Sequence, residues 1–218
     1  MKKIPTTFPS GELILEGIAA IPEGAGHFPA VIVCHPHPLY GGSMDNGVVH
    51  SLCETLTKAS FVSFKFNFRG VGGSQGEFGQ GIGAQADVQA AISFVATLRE
   101  VDCHRIGLAG YSAGSGFGFS VGSSDDRIKA LAAISPPLNM FNFDFLRNCP
   151  KPKLLVSGSR DNFTAPDRFL EFCQNLAEPK QYEIIEGADH FWRECESLPA
   201  SRVTAFFTKI LQAGSEYV

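Results

Sequence analysis

From residue 29 onward the chain alternates short, continuously apolar runs with longer stretches in which apolar residues return every three or four positions. A continuous run bounded by turn-formers reads as a buried strand; the wider spacing reads as a helix with one apolar face. PAVIVCH (29–35) and FVSFKFN (61–67) are of the first kind. GVVHSLCETLTKAS (47–60) places Val48, Leu52, Leu56 and Ala59 on one helical face, with Asp45 or Asn46 available as N-cap. AQADVQAAISFVATLRE (84–100) places Val88, Ala91, Ile92, Val95 and Leu98 on another.

The same pattern predicts strands near 104–109, 128–134, 153–158 and 181–186. Helices are expected after Ser112, from about Pro166 to Ala177, and from about Pro199 to Gln212. Proline suits the first position of the last two, with Ser197 as cap for the second. KKIPTTF and ELILEGIAAI, near the N-terminus, have no helix between them and read as an antiparallel pair at a sheet edge.

This alternation predicts an α/β fold, with a mostly parallel sheet covered by helices on both faces. In open sheets of this kind ligands bind outside the carboxyl ends of the strands. At 218 residues and 44% hydrophobic, one domain spanning 1–218 is expected. The net charge of −4 includes no block of like charges, so nucleic acid and membrane surfaces are not expected partners. Without an apolar stretch of signal-peptide or spanning length, the expected location is cytoplasmic. Six cysteines lack metal-type spacing and read as free, mostly buried thiols.

Four groups of residues compete for the chemistry. GIGAQA (81–86) matches a dinucleotide fingerprint, but neither a strand before it nor an acidic strand end after it is present. His35 and His37, two apart in CHPHP (34–38), could face a metal, but no Asp-His follows; no metal and no cofactor is expected. GYSAG (110–114) matches G-x-S-x-G and sits between a strand and a helix, the setting of a nucleophile elbow. Gly114, Gly118 and Gly122 recur every fourth residue and would let that helix lie close on the sheet, each at a cost of about 1 kcal/mol against alanine.

The fourth group is the pair of loops SGSRDNFTAPD (157–167) and EGADHFW (186–192), with Asp161 and His190. Both follow strands at the edge that carries Ser112, in the order Ser, Asp, His. A histidine near neutral pH can take the serine proton, and a buried carboxylate fixes its tautomer. Asp161 is preferred to Asp167, which falls in a helical first turn, and to Asp189, which adjoins His190 too closely in sequence to reach its Nδ1.

HPHPLYGGSMDN (35–46), FNFRGVGGSQGEF (66–78), the elbow and the two loops together make the whole chain resemble a small bacterial α/β-hydrolase of the dienelactone hydrolase-like group. The resemblance implies an eight-stranded sheet and carries over Ser112, Asp161 and His190 as a catalytic triad. Dienelactone hydrolases have cysteine where this chain has Ser112. One oxyanion donor is expected from the N–H of Ala113 and the other from the loop after the 29–35 strand. Pro36 and Pro38 have no N–H, which leaves His37 or Leu39; analogy with such hydrolases selects His37. Arg69 is expected to tie down its loop, and Lys65, among Phe64, Phe66 and Phe68, reads as an edge residue with its amine in water.

Related folds insert lids between the strands that end near Ser135 and start near Lys153; here the insertion, 136–150, is short. Its Met140, Phe141, Phe143, Phe145 and Leu146 either wall an acyl pocket or plug the core. Leu39, Tyr40, Tyr111, Met140, Phe141 and Phe143 are the expected pocket residues. The chain thus reads as a serine carboxylesterase of small or short-chain esters, with a small-molecule substrate and a homodimer as a possible assembly. A thioesterase or amidase with the same triad is the nearest alternative, and a non-catalytic binding protein on a hydrolase fold the more distant one.

Overall fold

The computed structural model describes residues 1–212. Its eight strands form one sheet in the order β1-β2-β4-β3-β5-β6-β7-β8. β1 (Lys2–Ser10) and β2 (Leu13–Ile21) are the antiparallel edge pair, and β2 also runs antiparallel to β4 (Val62–Phe66). β3 (Phe28–Cys34), β4, β5 (Val101–Tyr111), β6 (Ile128–Ile134), β7 (Lys153–Arg160) and β8 (Lys180–Asp189) are mutually parallel.

Side chains that alternate along each strand fill two separate cores. Ala30, Ile32 and Cys34 of β3 pack with Ile106 and Leu108 of β5 under α2 (Ala84–Val95), α3 (Ala113–Gly122) and α4 (Pro166–Gln174). Val31, Val33, Ala109 and Tyr111 face the other way, onto α1 (Gly47–Lys58) and α5 (Ser197–Phe207). Strands clothed on both faces must be apolar at successive positions, hence the continuous runs in the sequence. Among the described residues no helix is long and apolar enough to cross a membrane.

The connections fix where a ligand can sit. From β3 the chain passes through α1 to β4 on one side, then returns through α2 to β5 on the other. The resulting crevice, between the carboxyl ends of β3 and β5, is the switch point at which such sheets bind ligands.

Several boundaries differ from the sequence pattern. α2 ends at Val95, because turns at Leu98 and Val101 feed a β5 that starts early and lets Glu100 C=O accept from Phe28 N–H at 2.8 Å. α4 stops at Gln174, where the Lys180 amine donates to Gln174 C=O at 2.6 Å and to Leu176 C=O at 2.9 Å. Asn46, rather than Asp45, caps α1, accepting from Val48 N–H at 3.0 Å. α5 starts at Ser197, so Ser197 is helical and not its cap, and Pro199 stands third in the helix.

Lys65 is not an edge residue. β4 is flanked on both sides, and the Lys65 amine is buried against Met44 C=O (2.9 Å) and Asp45 Oδ1 (3.1 Å). It ties the segment before α1 to the sheet. Arg69 does bind its loop down, with Nε and Nη2 donating to the fully buried Asp87 carboxylate at 2.7–3.1 Å.

Candidate active site

β5 ends at Tyr111 and α3 begins at Ala113, so the whole reversal between strand and helix falls on Ser112. Its backbone lies at φ 51°, ψ −124°, a conformation that L side chains seldom adopt. Neighbouring atoms hold it there: Ser112 N–H donates to Ile134 C=O at 2.8 Å, and the Ser115 hydroxyl donates to Ser112 C=O at 2.6 Å. The turn is too tight for side chains on either side of it. A Cβ at Gly110 would lie 2.4 Å from Ser115 N, and one at Gly114 would lie 2.3 Å from Cys34 C=O.

The hydroxyl so presented is 2.9 Å from His190 Nε2. Nδ1 of the same ring lies 2.8 Å from Asp161 Oδ2 and 3.0 Å from Oδ1. An ionised carboxylate only accepts, so the proton sits on Nδ1 and Nε2 is free to accept from Ser112. Burial pushes the Asp161 carboxyl up, but the His190 hydrogen bond and charge, the Phe163 N–H and the Ser135 hydroxyl outweigh it and hold the group below its ordinary value. Asp161 therefore stays charged. Asp167 lies in the first turn of α4, and Asp189 accepts from the N–H groups of Phe191 (3.0 Å) and Trp192 (2.8 Å) instead of the imidazole.

Tyr111 holds His190 from a second direction. Its hydroxyl donates to His190 C=O at 2.9 Å. Burial, helped by the nearby charges of Asp161, Asp189 and Glu196, raises the phenol well above its usual range and keeps it a donor.

The segment after β3 contributes backbone. His35 is buried and uses both ring nitrogens: Nδ1 lies 2.7 Å from Pro36 C=O, and Nε2 accepts from Phe68 N–H at 3.2 Å. Its imidazole is held at about 4, chiefly by burial. His37 Nδ1 accepts the Leu39 N–H at 3.2 Å, which removes Leu39 as a free donor. His37 and Ala113 both line the cavity over Ser112, and the first helical amides, of which Ala113 is one, have no partner within their helix.

That cavity holds about 40 Å³, and its walls include Pro36, Tyr40, Asn46, Tyr111, Met140 and Phe163. Tyr40, Tyr111 and Met140 thus line the cavity over Ser112, whereas Leu39, Phe141 and Phe143 do not. Leu39 projects outward at 76% exposure, Phe141 packs on Phe117, and Phe143 is buried among Phe119, Phe145 and Phe172. A larger hollow of about 750 Å³ between the 138–147 segment and α4 is lined by Phe141 and Phe143 but reaches neither Ser112 nor His190.

Four wall residues, Pro36, Asn46, Phe163 and Phe191, escaped the sequence reading. Phe163 and Phe191 adjoin Asp161 and His190 in sequence, with ring centroids 4.2 and 5.5 Å from that of His190. Their places in DNF and HF were the available signal. Asn46, read as a helix cap, does cap α1 and also lines the cavity.

Residues 30–212 match the family model described as the alpha/beta hydrolase domain. An uncharacterized protein of Rickettsia prowazekii is 34% identical over 173 residues, covering 76% of this chain and 72% of that protein. The crystal structure of a protein of unknown function from Agrobacterium tumefaciens superposes with a TM-score of 0.85 at 27% identity, covering 99% of this chain and 98% of that one. An alpha-beta serine hydrolase homologue from Coxiella burnetii gives 0.82 at 28% identity, over 96% and 97%.

Proposed function

Since the chain belongs to the alpha/beta hydrolase family, we propose that it is a serine carboxylesterase of small acyl esters, working through an acyl-enzyme on Ser112. The observation that carries this reading is the continuous line from Ser112 Oγ through His190 to Asp161, with both contacts at 2.8–3.0 Å. His190 Nε2 takes the proton as Ser112 Oγ adds to the ester carbonyl, and Asp161 stabilises the imidazolium. The new oxyanion is met by the N–H groups of Ala113 and His37. Collapse of the adduct expels the alcohol, which leaves with the proton from His190. Water, deprotonated by the same nitrogen, then releases the acid and restores the serine.

The size of the cavity supports the preference. Little space lies beside Ser112, about 40 Å³, and a site so narrow suits small acyl groups better than long ones. The test is labelling by a fluorophosphonate together with turnover of p-nitrophenyl acetate, acetyl-CoA and an acetanilide. Labelling at Ser112 and ester turnover, both lost in Ser112→Ala, are expected. Faster turnover of the thioester or the anilide would move the substrate class, and absence of both labelling and turnover would favour a binding role.

A further inference from the structure

The alcohol that leaves an ester cleaved at Ser112 takes its proton from His190 Nε2, which lies 2.9 Å from the Ser112 hydroxyl. A proton passes between heavy atoms roughly 3 Å apart, so the carbon that bears the leaving oxygen must lie beside the imidazole. Whatever surrounds the imidazole therefore meets the alcohol part of the substrate. Two rings do so: Phe163, tilted at 33° with 4.2 Å between centroids, and Phe191, at 83° and 5.5 Å. Phe163 in turn meets Phe191 edge to face at 6.1 Å and Tyr40 edge to face at 6.3 Å. All three rings line the cavity over Ser112.

Exposure separates the two ends of that cavity. Ser112, Ala113, Tyr111 and His190 are buried, whereas Tyr40 is 68% exposed, Met140 48% and Phe191 47%. Of the nine large hydrophobic side chains exposed among the described residues, these three line this one cavity, and a fourth, Leu39, adjoins Tyr40 in sequence. Single apolar groups in water are ordinary; a set gathered at the mouth of a site marks what the site binds. The narrow inner end suits a small acyl group, which leaves the exposed rings to the alcohol.

We propose that Tyr40, Phe163 and Phe191 form a platform for an aromatic alcohol, so that the substrates are esters of small acids with aromatic alcohols. This rests on the hydrolytic role proposed for Ser112 and names the other half of its substrate. Rings set nearly perpendicular to one another present edges beside faces, an arrangement that a further ring continues and a saturated chain does not. A lipid surface fits the rim less well. The stretch 189–196, which carries Phe191, has Asp189, Glu194 and Glu196 against Arg193 alone, and the Arg193 guanidinium already sits over the Phe191 ring at 5.5 Å. Such an acidic fringe is repelled by anionic headgroups.

The test compares benzyl acetate with cyclohexylmethyl acetate, which share the acyl group and differ little in the size and basicity of the alcohol. The wild-type protein is expected to favour the benzyl ester by about tenfold in kcat/KM, mostly through KM, since the ring is held alike before and during the reaction. Tyr40→Leu and Phe191→Leu keep apolar bulk without a ring, and both positions are largely in water. In each the preference should fall to within about twofold. A wild-type ratio near one overturns the proposal. So does a preference that survives in both variants, or faster cleavage of hexyl acetate than of benzyl acetate, which would mark an alkyl chain as the occupant. Binding of the free alcohols, followed through the ring proton resonances of Tyr40 and Phe191, needs no turnover. If the wild-type protein cleaves no ester, the hydrolytic reading falls; benzyl alcohol that still binds about tenfold more tightly than cyclohexylmethanol upholds the platform, and equal or absent binding overturns it.

Discussion

The Phe163 ring lies tilted over the His190 imidazole, with 4.2 Å between centroids. It stands two residues past Asp161, whose Oδ1 accepts its N–H at 2.8 Å, so one short loop supplies both the carboxylate and a roof over the imidazole. Phe163→Ala should open the small cavity beside Ser112. We expect kcat/KM for p-nitrophenyl butyrate to rise against that for the acetate by about tenfold, the scale of one or two methylenes in an apolar pocket. Steady-state rates on the two esters decide it; an unchanged ratio would mean that the acyl chain lies elsewhere.

His35 links stability to pH. Burial holds its imidazole at about 4 in the folded chain, against about 6.5 when unfolded. Below the unfolded value the open chain takes up a proton that the folded one refuses, so this contribution is intact above about pH 6.5 and is lost as pH falls toward 4. Between pH 7 and 5 the loss should be about 2 kcal/mol. Asp125, held at about 2 chiefly by its hydrogen bond from Arg127, loses its contribution only at lower pH. Urea unfolding at the two pH values should show this slope in the wild type, and His35→Gln should flatten it.

The glycines of α3 differ in what they approach. A Cβ at Gly114 would meet the backbone oxygens of Cys34 and His35 at 2.3 and 2.5 Å, whereas at Gly118 the nearest atom is a Leu108 methyl at 2.7 Å. A side chain can move; these carbonyls, which lead into the segment that carries His37, cannot move freely. Gly114→Ala is therefore expected to cost about 3 kcal/mol and to impair turnover, and Gly118→Ala about 1 kcal/mol with turnover kept. Equal losses in denaturant melts would contradict this ranking.

Arg69 is the partner of a carboxylate that has no access to water. Arg69→Ala leaves the Asp87 charge with only the Ser10 hydroxyl (2.7 Å) and the backbone N–H at 69 (3.0 Å), and should cost about 3–5 kcal/mol. Arg69→Lys cannot reproduce the forked contact and should recover only part of that. Thermal melts of the two variants check the order.

Ser112, Asp161 and His190 were legible in the sequence because each stands just beyond the end of a strand, where chain order and residue type suffice. The pocket was less so. Which way Phe141 or Phe143 points depends on a 3-10 turn at Asp144–Asn148 and on space beside Gly116, where a Cβ would come within 2.4 Å of the Phe141 ring. Neither has a periodicity to read. Lys65 was misplaced for a topological reason: the sequence suggests strands but not that β4 is inserted between β2 and β3. The hydrogen bond from the Trp192 indole N–H to the Ser135 hydroxyl joins residues 57 positions apart, each with a left-handed backbone that no local pattern announces.

The Tyr111 hydroxyl, bonded to His190 C=O, starts one residue before Ser112 and ends on the residue whose ring faces the Ser112 hydroxyl. With the Trp192–Ser135 bond it closes a loop of contacts through three strand ends that does not pass through the Ser112 hydroxyl. Local opening of any one segment must break bonds in the other two, so the three should open as one cooperative unit. Hydrogen exchange at residues 111–113, 134–135 and 190–192 would then report a single opening free energy, and the protein would at any instant carry either the whole arrangement or none of it.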